Sequence, residues 1–284
     1  MPNWRPAEDV LAELGWELPP DNNVELGRRW AAELDRHGVE RSVMIASLPG
    51  EEDAVAEAVG AFPDRFYGYF MFNPISPDAV ERAARGIDIF GLKGICFFPA
   101  MHRFSIKDHR LTPLFQLIAD RPGTVVFVHQ GILTVGARKR FGLISKFDMS
   151  FSNPIDLHAV ALEYPTIRFV VPHFGAGYFR EALMLGDLAE NVYLDTSSSN
   201  SWTKYQEEPM DLKTVFAKAL DIYGPNRLLF GTDSSYFPRG WNRAIFDAQV
   251  EALSGLGISS DEAQGIFGGN LNRMLGKPAS VAAA

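Results

Sequence analysis

From about residue 24 onward, short runs rich in Val, Ile and Phe alternate with longer amphipathic stretches, and this rhythm leaves few folds open. The runs are RSVMIAS from Arg41, FYGYFMF from Phe66, LKGICFF from Leu92, TVVFVH from Thr124, IRFVVPH from Ile167, NVYLDT from Asn191 and RLLFGTD from Arg227. Several are apolar at consecutive positions, as strands buried on both faces must be. Between them the spacing predicts helices at 24–37, with Gly38 as C-cap, and at 51–61, 77–89, 110–120, 154–163, 178–188, 211–223 and 242–254, with a last one near 260–274. Strict alternation defines an α/β chain, a parallel sheet covered by helices. Seven strand–helix units suit an eight-stranded barrel short by one strand or an open doubly wound sheet.

At 284 residues two domains would fit, but no Gly/Ser linker or shift in composition divides the chain. One barrel-sized domain over 24–275 is therefore expected, after an N-terminal loop segment at 1–23 and before a frayed tail at 276–284. A hydrophobic content of 46% supplies a large core and excludes a disordered chain. The formal charge of -8 argues against nucleic acid and anionic membrane as partners. The single cysteine, Cys96, lies within an apolar run and is expected to be a small core hydrophobe. The N-terminus lacks the pattern of a secretory signal, and no run of ~18 apolar residues occurs. A cytoplasmic protein acting on a small-molecule substrate is expected, and a homo-oligomer is compatible with the sequence.

In parallel α/β folds ligands bind where strands end, so polar residues directly after apolar runs are the informative ones. VVFV runs into His129, FVVP into His173 and LLFGT into Asp233. Each can hold a divalent ion or move a proton. Singly, such a histidine is a packing group and such an aspartate an N-cap; together, on three strands, they point to a site. His102, in the loop MHRFSIKDHR, and Arg239 and Trp241, shortly after Asp233, are candidates for substrate contact. The long loops add Arg138-Lys139-Arg140 and Trp202, whereas His37 and His158 read as structural.

The segments GLKGICFFP, VVFVHQG, FVVPHFGAGYFREAL, NVYLDTSS, LLFGTDSSYFPRG and GGNLNRML resemble the amidohydrolase-related branch of the amidohydrolase superfamily over about residues 24–275. That branch includes aminocarboxymuconate semialdehyde decarboxylase, resorcylate-type decarboxylases and lactone hydrolases. The resemblance implies a TIM-type (β/α)8 barrel and one catalytic divalent metal, usually zinc. It makes His129 the ligand ending the fifth barrel strand, His173 a ligand or catalytic hydrogen-bond donor on the sixth, and Asp233 ligand and proton carrier on the eighth. The family's HxH pair, which ends the first strand, has no counterpart, because the six histidines at 37, 102, 109, 129, 158 and 173 include no two separated by one residue. Lys93 begins its run, so a lysine-bridged two-metal centre is not expected.

The missing pair and the count of seven lead to one expectation: the barrel lacks its first strand. Residues Trp4 to Asn23, with Pro6, Pro19 and Pro20, read as the loop that would follow it. A misplaced start fits better than a true loss, since an open barrel would expose unpaired strand edges. The expected function is metal-dependent hydrolysis of an ester, lactone or amide-like bond, with Asp233 taking a proton from water and His173 stabilising the oxyanion. Non-oxidative decarboxylation of a small aromatic or unsaturated acid would use the same residues. A metal-free, non-catalytic barrel is the third reading.

Overall fold

The computed structural model describes residues 6–46, 48–135, 138 and 141–276. Seven strands, β1 (Ser42–Ile45), β2 (Phe66–Met71), β3 (Gly94–Phe97), β4 (Val125–Val128), β5 (Arg168–Val171), β6 (Val192–Asp195) and β7 (Leu228–Leu229), form one sheet in chain order. All neighbours are parallel, from Ser42 opposite Phe66 to Asp195 opposite Leu229. All seven expected runs become strands.

The register sorts side chains by parity. Tyr67, Tyr69, Met71, Cys96, Val125, Val170 and Leu229 share an inner cluster with Met274 and Leu275, and Val43 of β1 packs on it. A cluster that draws on both the first and the last strand requires the sheet to curl into a TIM-type barrel with seven strands in place of eight. Cys96 is buried there as a free thiol, as expected of a small core residue. The opposite parity, including Phe70, Ile95, Phe97, Val126, Val128, Phe169, Val171 and Leu194, packs beneath the helices in the largest core.

Helices Asn23–Arg36, Glu52–Ala61, Thr112–Ala119, Phe179–Leu188, Leu212–Tyr223 and Arg243–Ser254 fall where the spacing places them. The N-terminal segment departs from the loop expected at 1–23, because Ala7–Leu14 is a helix. Its prolines flank the helix: Pro6 occupies the N-cap, and Gly15, at φ 64°, closes it in a left-handed C-cap. Val10 is buried, so the turn has its own core anchor. Residues 277–284, where the frayed tail was expected, lie outside the described residues. Among the described residues no helix is long and apolar enough to cross a membrane.

Between β7 and β1, the two ends of the sheet order, side chains do the closing. Ala31 and Leu34 of helix Asn23–Arg36 cluster with Phe66 and Trp241, against Trp30, Phe230 and Phe246. Glu33, buried at this seam, accepts the backbone N–H of Trp241 at 2.9 Å and pairs with Arg36 at 2.9 Å and His37 at 3.2 Å. The structural reading of His37 thus has a concrete form, a helix-end imidazole on a buried carboxyl group.

Candidate active site

Inward parity continues past the strand ends and selects what faces the mouth. His129 follows Val125 and Phe127, and its N–H still bonds Phe97 O at 2.8 Å. Only 6% of the residue is exposed. The Phe98 ring stacks on it at 5.4 Å between centroids, and the His173 ring meets it edge-on at 5.2 Å. Burial, reinforced by His173, pushes its pKa down to about 3, so its imidazole is neutral. Its Nδ1 is buried with no hydrogen-bond partner.

His173 leaves the strand rhythm. It opens a run of left-handed residues, with φ of 58° at His173, 53° at Phe174, 82° at Gly175 and 44° at Ala176. Each such non-glycine residue costs on the order of 1 kcal/mol and persists only where neighbours over-determine it. Here the turn is tied by Gly175 N to Pro172 O at 2.9 Å and Ala176 N to His173 O at 2.8 Å. The loop after β4 adds Ile132 N to Ala176 O at 2.8 Å. Gly131, at φ 85°, makes that approach possible, since a Cβ there would stand 2.1 Å from Gly175 O.

Asp195 and Ser197, inward-facing at and beyond the end of β6, complete the cluster, and neither was picked out from the sequence. Asp195 Oδ1 accepts Ser197 N at 3.0 Å, His173 N at 3.4 Å and the Ser197 hydroxyl. Ser197 Oγ is 2.8 Å from His173 Nδ1, and the Ser197 carbonyl 3.3 Å from the same atom. On the adjacent chain just past β7, a Cβ on Gly231 would stand 2.7 Å from Ser197 Cβ and 2.9 Å from Asp195 Oδ2. Only glycine at 231 leaves them room.

Asp233 follows at φ 53°. Burial raises the pKa of its carboxyl group, His173 and Arg239 oppose the rise, and Asp195 adds to it. Arg239 Nη2 donates to Asp233 O at 3.2 Å while its guanidinium lies 4.3 Å over the Tyr236 ring. The histidines are thus neighbours, and Asp233 lies within electrostatic reach of His173 and Asp195.

The other sequence candidates divide. Arg239 stays beside Asp233, but Trp241 is turned into the seam and only 8% exposed, so it is packing and not substrate contact. An indole is apolar enough to be drawn into the gap that the described residues leave between β7 and β1. His102 ends the turn Pro99–His102 after β3; its Nδ1 is buried without a partner, and burial lowers its pKa. Trp202 is core, against Phe174 and Phe179. Arg138 donates to Ile144 O at 3.3 Å, while Lys139 and Arg140 lie outside the described residues. Among the described residues, no three His, Cys, Asp or Glu side chains are arranged to hold a metal ion.

The amidohydrolase family profile matches residues 17–277, nearly the whole chain, and the chain belongs to that family. One curated relative, the protein fluG of Emericella nidulans, is 32% identical over 100 residues, which is 34% of this chain and 11% of fluG. The 5-carboxyvanillate decarboxylase LigW of Sphingomonas paucimobilis shares the fold at a TM-score of 0.62 and 17% identity, over 90% of this chain and 86% of that one. An amidohydrolase of Burkholderia multivorans with bound zinc does so at 0.63 and 17%, over 95% of this chain and 92% of that one.

Proposed function

We propose that the chain is a hydrolase acting on an ester, lactone or amide-like bond of a small molecule, with His173 and Asp233 as the acid–base pair. The observation that carries this reading is an imidazole, His173, fixed by two partners within electrostatic reach of the buried Asp233 carboxyl group, whose pKa burial raises. One of the pair takes a proton from the attacking water, the other, starting protonated, gives its own proton to the leaving group, and a proton passed between the two restores the starting state. His129, neutral and enclosed, lines the same mouth as a hydrogen-bonding wall. Arg239, beside Asp233, suits a substrate carboxylate.

Zinc, which the resemblance implies, would meet two neighbouring imidazoles, His129 and His173, without a third donor converging on them among the described residues. A catalytic zinc site usually takes three protein ligands. The donors as arranged do not fit the ion, and no step is routed through it. Elemental analysis of the dialysed protein should find zinc and manganese well below one per chain; one ion per chain would contradict this.

Decarboxylation is the second reading, favoured by the likeness to a decarboxylase fold, and the same proton carrier would then serve a carbon atom. A panel of lactones, aryl esters and hydroxybenzoates, read by acid release and by CO2, tests both. Hydrolysis without CO2 is expected. CO2 from a hydroxybenzoate would install the second reading, and inertness to the panel would remove both.

A further inference from the structure

The three contacts that converge on Asp195 Oδ1 decide where the hydrogens in the cluster lie. Backbone N–H groups can only donate, and Ser197 N at 3.0 Å and His173 N at 3.4 Å both address Oδ1, which is therefore an acceptor. The Ser197 hydroxyl contacts the same oxygen and must spend its single hydrogen there. Its oxygen is then left to accept, and the partner 2.8 Å away is His173 Nδ1. The Ser197 carbonyl, 3.3 Å from Nδ1, can likewise only accept. Two independent contacts thus require a hydrogen on Nδ1, and the tautomer of an imidazole is set by such a bond. His173 Nε2 has no hydrogen bond among the described residues.

We propose that Ser197 and Asp195 are positioning residues that hold His173 with its hydrogen on Nδ1 and a bare Nε2, which makes His173 the proton acceptor of the site and Asp233 the carboxyl group that gives its own proton to the leaving group. This inference rests on the hydrolase reading for its chemical meaning, and it reverses the donor role expected of His173 from the sequence. A bare Nε2 cannot donate to an oxyanion; it can take a proton from water. The positive charge then formed on the ring is met through Nδ1–H by Ser197 and, 4.0 Å away, by Asp195. The Gly231 gap keeps this pair in place, because a methyl group there would collide with both side chains.

Long-range 1H–15N spectra of the full chain at about pH 8.5, roughly two units above the ordinary imidazole value, read the tautomer directly. The His173 signals are assigned by their loss in His173→Asn. In the wild-type protein Nδ1 should carry the protonated-type shift and Nε2 the bare one. Ser197→Ala should lose the single fixed tautomer for an averaged pair of shifts, and Ser197→Thr should restore it. A wild-type ring with its hydrogen on Nε2 overturns the proposal without any variant, as does a Ser197→Ala spectrum identical to wild type. A fixed Nδ1–H ring in a protein inert to the substrate panel would uphold the positioning pair and remove the hydrolase reading, so the two failures are distinguishable.

Discussion

The middle of the sheet and its seam are built by different means. Strands β3 to β6 pair along most of their length, and nearly every residue in β3, β4 and β5 is buried. At the seam, β7 offers two residues to the ladder, and β1 has no buried residue, with Ile45 39% exposed. The difference runs through the candidate site. His129, Asp195 and Ser197 stand on the laddered side, where backbone bonds fix them. Asp233 stands past β7, and its loop is braced by side chains and by the N-terminal segment: Trp16 stacks on Tyr236 at 4.1 Å, and Glu17 N bonds Phe237 O at 2.8 Å. The histidine side of the pair stands beside the laddered strands, and the aspartate side stands at the seam.

If side chains hold the seam, removing the largest should be costly and local. Trp241→Ala should destabilise by ~3–5 kcal/mol in urea unfolding. Hydrogen exchange should show protection falling first at β1 and β7 while β4 and β5 stay protected. Uniform loss of protection would erase the distinction between the two regions.

Acid should instead find the laddered side through His129. Its folded pKa, about 3, lies below its ordinary value of 6.5, so the stability tied to the neutral ring is full above pH 6.5 and is lost as pH falls toward 3. At ~1.4 kcal/mol per unit, roughly 3 kcal/mol should disappear between pH 6.5 and 4. His129→Gln should lack that slope, and an equal slope in the variant would place the acid sensitivity elsewhere.

Gly231→Ala probes the junction of the two regions, because the new methyl group presses on Asp195 and Ser197. A loss of ~1–3 kcal/mol is expected, together with the fixed His173 tautomer. A variant with a wild-type spectrum would mean that the cluster tolerates the crowding. At the small end, Ile45→Thr at the exposed edge should change stability by no more than ~0.5 kcal/mol in the same urea assay. A larger change would show β1 to be as tightly held as the middle strands.

The strands were legible because Val, Ile and Phe runs buried on both faces leave a pattern that tertiary context does not alter, and the polar residues ending three of the runs singled out His129, His173 and Asp233 as candidates. Asp195 ends a run in the same way, in NVYLDT, but an aspartate before Thr and Ser reads locally as a turn or cap residue. Only the register of β5 against β6 brings it under His173. The helix Ala7–Leu14 was hidden by nearby prolines that turn out to border it. Trp241 was misplaced because sequence proximity to Asp233 says nothing about which way an indole turns at a seam without a strand.

Turnover by Asp233→Asn, measured on the member of the substrate panel on which the wild-type protein proves most active, tests the acid–base pair most directly. Burial already disfavours the charged carboxylate, so the amide should leave the melting temperature equal or higher. Stability from a carboxyl group with a raised pKa is present at low pH and lost as pH rises above the ordinary carboxyl range, and the variant should escape that loss. The predicted result is a fall in kcat of at least ~100-fold in a fully folded protein. Wild-type-like turnover with the melting temperature unchanged would contradict the assignment of Asp233 as proton carrier at the mouth of the barrel.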